Sequence, residues 1–201
     1  MKKKIYLLIN YWRIIIAWLL FKMSKHYKHI IEETDFWCEQ HQVRYKYNIN
    51  RIGFLLVEYF EFRNVLCMRL KSYHKYISCF IISVLFPQRK TLYILTSDIG
   101  KNLFIQHGFS TIVSAKKIGD RCWINQQVTI GYEQDRAPII GNDVRICAGA
   151  IIIGDVKIGD NSIIGAGSVV TTDIPSNQIW GGVPARYIKK VKGSSFDDQR
   201  I

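Results

Sequence analysis

One histidine in the second half of the chain has the side chain and the setting of a catalytic base. His107 is the only histidine after residue 74, and it lies two residues after Ile105 and directly before Gly108. A histidine that faces outward can take a proton near neutral pH, because imidazole titrates close to that range. An exposed histidine without a catalytic role would fit this spacing equally well.

Other groupings of reactive residues are missing from the sequence. Cysteines stand at positions 38, 67, 79, 122 and 147, an odd number with no Cys-x-x-Cys pair. This use of cysteine indicates reduced thiols in a cytoplasmic protein and predicts no zinc site. The sequence also lacks a phosphate-binding Walker loop and a nucleophilic triad. His107 is therefore the main candidate for chemistry.

The stretch from Ile99 to Pro175 repeats an aliphatic residue every six positions. The repeated residues are Ile99, Ile105, Ile118, Ile124, Ile130, Ile140, Ile146, Ile152, Ile158, Ile164 and Val170. A period of six fits neither an α-helix nor an alternating strand, and it is typical of parallel β-helices, in which three hexads complete a coil. We expect these residues to point inward and to stack from coil to coil. A sandwich of short strands would instead show a period of two and irregular spacing.

Two breaks in the six-residue step and a set of small residues refine this prediction. From Ile105 to Ile118 there is one residue more than two hexads, and His107 lies beside this irregularity. From Ile130 to Ile140 there are four residues more than one hexad, so the polar segment 133–136 should form a loop outside the coil. Small residues should fill the tight corners; they are Val128, Val144, Ala150, Ser162 and Ser168. Past Pro175 the repeat stops, and we expect a turn over residues 181–185 followed by a basic tail.

The first 90 residues differ in character from the rest of the chain. They carry a net charge of +10 of the total +12. A basic region can meet nucleic acid, an anionic membrane or a phosphorylated ligand, and a solvated basic helical surface explains the charge as well as a membrane role does. We expect no nucleic acid as partner. The sequence predicts an α-helical region over residues 1–90 and a β-helix domain with a basic C-terminal segment over residues 91–192.

Apolar periodicity predicts helices over Ile5–Phe21, Gly53–Tyr73 and Tyr76–Phe86. The first of these contains polar residues and is too short to span a bilayer. The helices would cover the open end of the β-helix, since exposed sheet edges and coil ends need protection. Contact of the first helix with a membrane surface is the alternative interpretation.

Five motifs of the repeat region belong together as a pattern. They are the segment from Ile99-Gly100 to His107, Asp135-Arg136-Ala137-Pro138, Ile146-Cys147-Ala148-Gly149-Ala150, Ile164-Gly165-Ala166-Gly167-Ser168-Val169-Val170 and Gly182-Val183-Pro184-Ala185-Arg186. This set resembles the catalytic domain of serine acetyltransferases and related hexapeptide-repeat O-acetyltransferases, and it spans nearly half of the chain. The motifs are specific for CoA-dependent acyltransferases of this fold and much less specific for the acceptor.

The resemblance implies a left-handed β-helix, a homotrimer, and acetyl-CoA as co-substrate in the groove between neighbouring subunits, with no metal. His107 would take the proton from the acceptor hydroxyl, and the oxygen would attack the thioester directly. The CoA site would be lined by Ala148, Gly149, Ala166 and Gly167, with Gly182, Pro184, Arg186 and Lys189 near its far end. Small residues leave room for a pantetheine arm and cations suit its phosphates, although corner packing explains the alanines and glycines equally well.

This sequence departs from the serine acetyltransferase pattern around the acceptor. Gln106 replaces the aspartate that helps to hold the substrate amine, and Ala137 replaces a loop histidine. Arg136, which would hold a carboxylate, is retained. Leu92 stands where an aspartate that orients the histidine is expected, and Asp98 is a weak substitute. These losses should erode selectivity for a free amino acid.

Three functional hypotheses follow. The main prediction is an acetyl-CoA-dependent O-acetyltransferase that modifies a hydroxyl of a sugar or surface-polysaccharide precursor. Residues 61–64 with Arg69 and Leu70 support it, because they resemble the helix before the β-helix in acetyltransferases of such pathways. The alternative is a serine O-acetyltransferase in cysteine biosynthesis, and a further alternative is a non-catalytic β-helix scaffold. We expect a cytoplasmic protein, held at the inner face of the membrane if its basic helices bind lipid.

Overall fold

A helical unit and a β-helical unit make up the fold, and the chain passes from one to the other between Arg89 and Lys90. The computed structural model describes residues 7–194. The helices are α1 (Tyr11–Lys22), α2 (Tyr27–Gln40), α3 (Asn48–Glu58), α4 (Phe60–Ser72) and α5 (Tyr76–Leu85). Ile5 and Tyr6 of the first predicted helix lie outside the described residues. Among residues 7–194, every helix is too short or too polar to cross a bilayer.

The predicted helix Gly53–Tyr73 is two helices in the structure, and Tyr59 separates them. Tyr59 has an extended backbone, with φ −118° and ψ 107°. The guanidinium of Arg63 stabilises the end of α3, because Nε donates to the Leu56 carbonyl at 2.6 Å and Nη2 to the Val57 carbonyl at 2.8 Å. A cation placed there satisfies carbonyls that have no partner within the helix. The prediction of one helix was wrong because the apolar spacing continues through the break.

Two ion pairs inside the helical unit involve the charged residues Glu61 and Arg69 of α4. Arg69 Nη2 lies 3.0 Å from Glu33 Oε2, and both side chains are buried. The buried carboxylate of Glu61 lies 2.9 Å from Nε of Arg89. Buried charges are costly unless they are paired. Segment 61–64 with Arg69 therefore has a structural role in joining the helices.

The β-helical unit is a coil with three sides, and each side is a parallel sheet built from successive coils. Side A contains β1 (Leu92–Ile94), β3 (Thr111–Val113), β6 (Thr129–Gly131), β9 (Ile151–Ile153) and β12 (Val169–Val170). Side B contains β4 (Lys117–Ile118), β7 (Ile139–Ile140) and β10 (Lys157–Ile158), extended by bridges at Ile99 and Ile174. Side C contains β2 (Phe104–Ile105), β5 (Trp123–Ile124), β8 (Arg145–Ile146), β11 (Ile163–Ile164) and β13 (Gln178–Gly181), with β14 (Arg186–Lys190) antiparallel to β13. This architecture confirms the predicted left-handed parallel β-helix preceded by helices.

The repeated aliphatic residues form the core of the coil, as the six-residue period predicts. On side B, Ile140 lies between Ile118 and Ile158, and all three are at most 2% exposed. The predicted corner residues have 0% exposure; they are Val128, Val144, Ala150, Ser162 and Ser168. Pairing between coils satisfies the backbone polar groups, and the inner columns remove aliphatic surface from water.

The first break in the six-residue step is a bulge on the outside of the coil. Val113 takes the inward position above Ile130 and is fully buried. Its neighbour Ile112 points outward and is 40% exposed. The segment between Ile105 and Val113 is therefore longer than a hexad, and it carries His107 at the surface.

The second break is the predicted loop over residues 133–136, which the structure confirms. Two main-chain hydrogen bonds close it, from the Glu133 amide to the Arg136 carbonyl at 2.9 Å and from the Arg136 amide to the Glu133 carbonyl at 3.1 Å. Because these bonds are satisfied within the turn, the four extra residues leave the coil without disturbing side B. The coil resumes at β7.

Beyond Pro175 the chain continues the sheet of side C, and the basic segment that we expected after the turn is a strand of that sheet. Strand β13 pairs in parallel with β11, and β14 returns beside β13. The predicted turn over residues 181–185 joins these two strands and contains a cis Val183–Pro184 bond. The basic segment Arg186–Lys190 is a strand because its backbone pairs with the last coil, and a hexad pattern does not encode this pairing.

Candidate active site

His107 lies at the corner between side C and side A, two residues after strand β2. Its backbone is left-handed, with φ 56°, and its carbonyl accepts a hydrogen bond from the Phe109 amide. This conformation is uncommon for residues other than glycine. It turns the chain so that the imidazole is exposed outside the coil. A surface imidazole in such a corner can receive a proton from a bound hydroxyl.

Neither of the two upstream candidates orients the His107 imidazole. Leu92 is 4% exposed within side A, where it pairs with Thr111. Asp98 lies near side B, and its Oδ2 is 3.9 Å from Nζ of Lys117. His107 therefore lacks the orienting carboxylate that the resemblance leads one to expect from this part of the chain.

The corner that holds His107 continues down the coil as one edge, which we call the C–A edge. It contains His107, Gln126, Ala148, Gly149, Ala166, Gly167 and Gly182. Main-chain bonds set their register: the Gly149 amide donates to the Gln126 carbonyl at 3.0 Å, and the Gly167 amide donates to the Ala148 carbonyl at 2.9 Å. Six of the predicted site residues therefore lie together on the C–A edge, and Gln126, which was not predicted, lies on it as well.

The C–A edge below Gln126 is a smooth strip because its side chains are absent or small. Gly149 and Gly167 have φ of 71° and 65°, a left-handed backbone that glycine adopts without strain. A Cβ built on Gly149 would lie 3.8 Å from the Gly167 Cα, whereas one on Gly167 would have open space around it. Strands of neighbouring coils are ~4.8 Å apart, so four steps from the coil of His107 to that of Gly182 make a strip of roughly 19 Å.

Two amide side chains on the upper part of this edge were missed by sequence reasoning. The side-chain oxygens of Asn125 and Gln126 are buried and have no hydrogen-bond partner among residues 7–194. They lie between His107 and Ala148 along the coil axis, where a polar ligand group could bond to them. Gln126 and Ala148 each lie two residues after an inward isoleucine, Ile124 and Ile146, and these isoleucines are one coil apart once the four-residue loop is allowed for. This equivalent position is the signal in the sequence that could have identified Gln126.

The two residues predicted to hold the acceptor lie at different corners. Gln106 is next to His107, and its main-chain N–H donates a hydrogen bond to the Ile124 carbonyl at 2.9 Å. Arg136 follows side A, whereas His107 precedes it, so the width of side A separates them within one chain. The Arg136 guanidinium is exposed and lies 3.3 Å from Glu133 Oε2. Ala137, at the base of the same loop, is 6% exposed.

The hairpin between β13 and β14 forms the lower end of the C–A edge. The Gly182 carbonyl accepts from the Val169 amide at 3.0 Å, and the Ala185 amide donates to the Val169 carbonyl at 2.8 Å. These bonds hold the turn that contains Pro184 against the start of β12. Arg186 and Lys189 follow on β14, and both side chains are exposed. The strip therefore has its cations at the end far from His107.

The thiol nearest to the strip is unsuited to nucleophilic catalysis. Burial raises the pKa of the Cys147 thiol, and the nearby positive charge of Arg145 offsets part of this effect. A thiol attacks as the thiolate, so a raised pKa keeps Cys147 in its unreactive form at neutral pH. This leaves His107 as the group on the edge that can move a proton.

Comparisons with known proteins agree with these observations. A family model described as bacterial transferase hexapeptide (six repeats) matches residues 137–172. A serine acetyltransferase of Synechococcus elongatus is 41% identical over 95 residues, which are 45% of this chain and 39% of that protein. A serine acetyltransferase of Staphylococcus aureus is 40% identical over 113 residues, 52% of this chain and 53% of that protein. The chain thus spans about half the length, or less, of these curated relatives.

A solved structure shares the fold over a longer stretch. The crystal structure of a serine acetyltransferase from Brucella abortus in complex with coenzyme A matches with a TM-score of 0.61 at 24% identity, and the match covers 85% of this chain and 71% of that one. That structure therefore has the same fold as this chain. The chain is a hexapeptide-repeat protein that resembles the serine acetyltransferase family.

Proposed function

We propose that this protein transfers the acetyl group of acetyl-CoA to a hydroxyl group, with His107 as the general base. The observation that carries the proposal is the C–A edge, on which an exposed histidine stands at the head of a strip of alanines and glycines. The relatives named above are serine acetyltransferases. They favour L-serine as the acceptor over the sugar precursor that we expected as the main substrate, and they give no support to a role in polysaccharide biosynthesis.

The residues of the strip fit the shape and charge of acetyl-CoA. Ala148, Gly149, Ala166 and Gly167 would lie along the unbranched pantetheine arm, because no side chain larger than a methyl group projects there. Gly182 and Pro184 would flank the far end. Arg186 and Lys189 would contact the phosphates, since guanidinium and ammonium groups form charge-assisted hydrogen bonds with phosphate oxygens. A CoA complex is known for the Brucella abortus protein.

The chemistry asked of this chain is the removal of one proton. Bound acetyl-CoA supplies an activated acetyl thioester. His107 accepts the proton of the acceptor hydroxyl at an imidazole nitrogen, which makes the oxygen a better nucleophile. The oxygen would form a bond to the acetyl carbon while the carbon–sulfur bond breaks, and the imidazolium would return the proton to the departing CoA thiolate. A general base of this kind contributes about 100- to 10,000-fold to the rate. The buried amide oxygens of Asn125 and Gln126 lie on the same edge, where they can accept hydrogen bonds from donors of the bound substrates.

A homotrimer would complete the site. The outward positions of side A are mostly apolar; they are Tyr93, Ile112, Thr129, Ile151 and Val169. Tyr93 is 54% and Ile112 40% exposed in one chain, so packing of a second chain would bury them. Because His107 and Arg136 lie at opposite edges of side A, contact between chains is the way to bring both to one acceptor. Threefold closed symmetry would repeat that contact in every groove.

A sugar hydroxyl is the second candidate acceptor, because two residues near the site are neutral. Gln106 gives no negative charge for a substrate ammonium, and Ala137 gives no polar group. A sugar has many hydroxyl donors and acceptors and needs no such charge. Arg136 fits either an amino acid or an acidic sugar, since both carry a carboxylate.

Release of CoA thiol by the purified full chain tests the proposal. Acetyl-CoA is incubated with L-serine, and in parallel with a panel of neutral and acidic sugars. We expect acceptor-dependent release, with kcat/KM for L-serine above that for each sugar. The reverse order would establish the sugar acceptor. No release with any acceptor, together with no binding of acetyl-CoA, would overturn the enzymatic proposal and favour the scaffold.

A further inference from the structure

Helix α1 has two apolar faces, and only one of them is buried. Ile14, Ala17 and Phe21 have 0% exposure and pack inside the helical unit. The opposite face is also apolar; its members are Trp12 at 60%, Ile15 at 39%, Ile16 at 38%, Leu19 at 46% and Met23 at 86% exposure. Their spacing of three and four residues places them in one continuous stripe. A solvated helix face normally carries charges instead.

Helix α5 extends this apolar surface. Its exposed side chains are Tyr76 at 59%, Ile77 at 78%, Phe80 at 68% and Val84 at 64%. The two helices lie antiparallel, since ring contacts join them at both ends. His26, just after α1, stacks on Tyr73, just before α5, with centroids 3.9 Å apart. At the other end, the Arg13 guanidinium lies 4.5 Å from the centroid of the Phe86 ring. We call the combined exposed surface the α1–α5 face.

Most charges next to the α1–α5 face are positive, although Glu32 Oε2 lies 4.0 Å from Nδ1 of His29, whose ring is 6.4 Å from that of Tyr73. The sequence has no Asp or Glu between residues 1 and 31 or between residues 62 and 97, the two stretches that contain α1 and α5. Lys22 and Lys25 are exposed at the end of α1, and Lys75 is exposed at the start of α5. Desolvation lowers the pKa of His26, and the charges of Lys25, His29 and Lys75 lower it further, which places these cations close together.

We infer that the α1–α5 face docks on the surface of an anionic lipid bilayer. Tryptophan, tyrosine and aliphatic side chains next to lysines are the composition of helices that lie in the membrane interface. The apolar side chains would enter the headgroup region, while Lys22, Lys25 and Lys75 meet lipid phosphates. Both helices would lie flat, since neither is long enough to span the bilayer.

A second copy of this chain is a poorer occupant of the same face. In a twofold contact the patch meets itself, so two surfaces with the same excess of positive charge would face each other. Like charges placed opposite each other oppose association. An anionic surface instead neutralises each lysine. The charge pattern therefore favours lipid over self-association.

Vesicle flotation of the full chain tests the inference without a need for enzymatic activity. One set of vesicles is phosphatidylcholine alone, and the other is phosphatidylcholine mixed with phosphatidylglycerol in equal parts. We expect binding to the anionic vesicles that weakens with added salt, and at least about 10-fold weaker binding to the neutral ones. The double variant Lys22→Gln/Lys25→Gln should bind about 25-fold more weakly, at about five-fold for each lysine.

Two further variants make the test specific. Lys116→Gln/Lys157→Gln removes the same charge from exposed positions of the β-helical unit, and its binding should match the wild type. Trp12→Gln/Leu19→Gln should lose binding while its circular dichroism stays unchanged. Absent or lipid-independent binding by the wild type would overturn the inference, and so would an equal loss in the Lys116/Lys157 variant. Self-association that Trp12→Gln/Leu19→Gln abolishes, without vesicle binding, would assign the face to a second copy.

Discussion

A methyl group added at Gly167 tests whether the C–A edge receives the arm of acetyl-CoA. Gly167 has φ 65°, and a Cβ built there meets no heavy atom within 4 Å. Gly167→Ala therefore lowers stability only through its left-handed backbone, by about 1–2 kcal/mol. The same methyl group projects into the strip, and overpacking a close contact costs about 1–3 kcal/mol. We expect KM for acetyl-CoA to rise about 5- to 150-fold, with little change in kcat at saturating acetyl-CoA.

Gly193→Ala is the matched control for this substitution. Gly193 has φ 83° and equally open surroundings, but it lies after β14 and away from the C–A edge. Its stability should fall by a similar or smaller amount, and its KM should match the wild type. Steady-state release of CoA thiol and thermal unfolding measure the two effects separately. An unchanged KM in Gly167→Ala, with stability lowered as expected, would show that the strip is not the CoA groove.

Three other predictions address stability, thiol chemistry and assembly. Arg63→Met should lower the free energy of unfolding, measured in urea, by about 2–4 kcal/mol, because three main-chain carbonyls lose a charged donor. The control Arg44→Met, at an exposed position of the same unit, should change it by less than about 0.5 kcal/mol. Equal losses in the two variants would refute the role of Arg63. Cys147 should react slowly with iodoacetamide at neutral pH and faster as the pH rises, because burial raises the pKa of its thiol; a rate equal to that of free cysteine at neutral pH would contradict this. Light scattering should give a trimer that Ile112→Asp dissociates, since the substitution places charge on the outer face of side A; a fully active wild-type monomer would argue against the assembly.

The core of the β-helix could be predicted because its information is local. An aliphatic residue every six positions assigns the inward column, and a four-residue excess shows where a loop must leave the coil. The loop over residues 133–136 and the buried corner residues Ser162 and Ser168, which lie at two different corners, were confirmed on this basis. The bulge after Ile105 was less well predicted, since either Ile112 or Val113 could occupy the inward position.

Features that depend on distant contacts could not be predicted in this way. The apolar spacing runs through Tyr59, and the break there depends on Arg63, which bonds to carbonyls of the preceding helix. The basic segment after the last hexad looks like a tail in the sequence, and it is a strand because β13 offers it an unpaired edge. The residues next to Tyr59 and next to β14 in the sequence do not indicate that Arg63 or the edge of β13 will contact them.

In the candidate site too, some features follow from the local repeat and others depend on contacts between distant residues. The small residues of the strip share hexad positions, so their alignment with His107 follows from the repeat. Arg136 also belongs to the resemblance, but the fold places it across side A from His107, which the motif order alone does not reveal. Gln126 was missed because a large polar side chain does not match the small residues found on the same edge in the coils below.

The transfer rate of His107→Asn is the most direct test of the central claim. Asparagine keeps a polar side chain of limited size at the bulge but cannot act as a base near neutral pH. We expect acceptor-dependent release of CoA thiol to fall about 100- to 10,000-fold, while calorimetry gives an acetyl-CoA affinity equal to that of the wild type. Activity within a few-fold of the wild type, with acetyl-CoA still bound, would contradict the assignment of His107 as the general base.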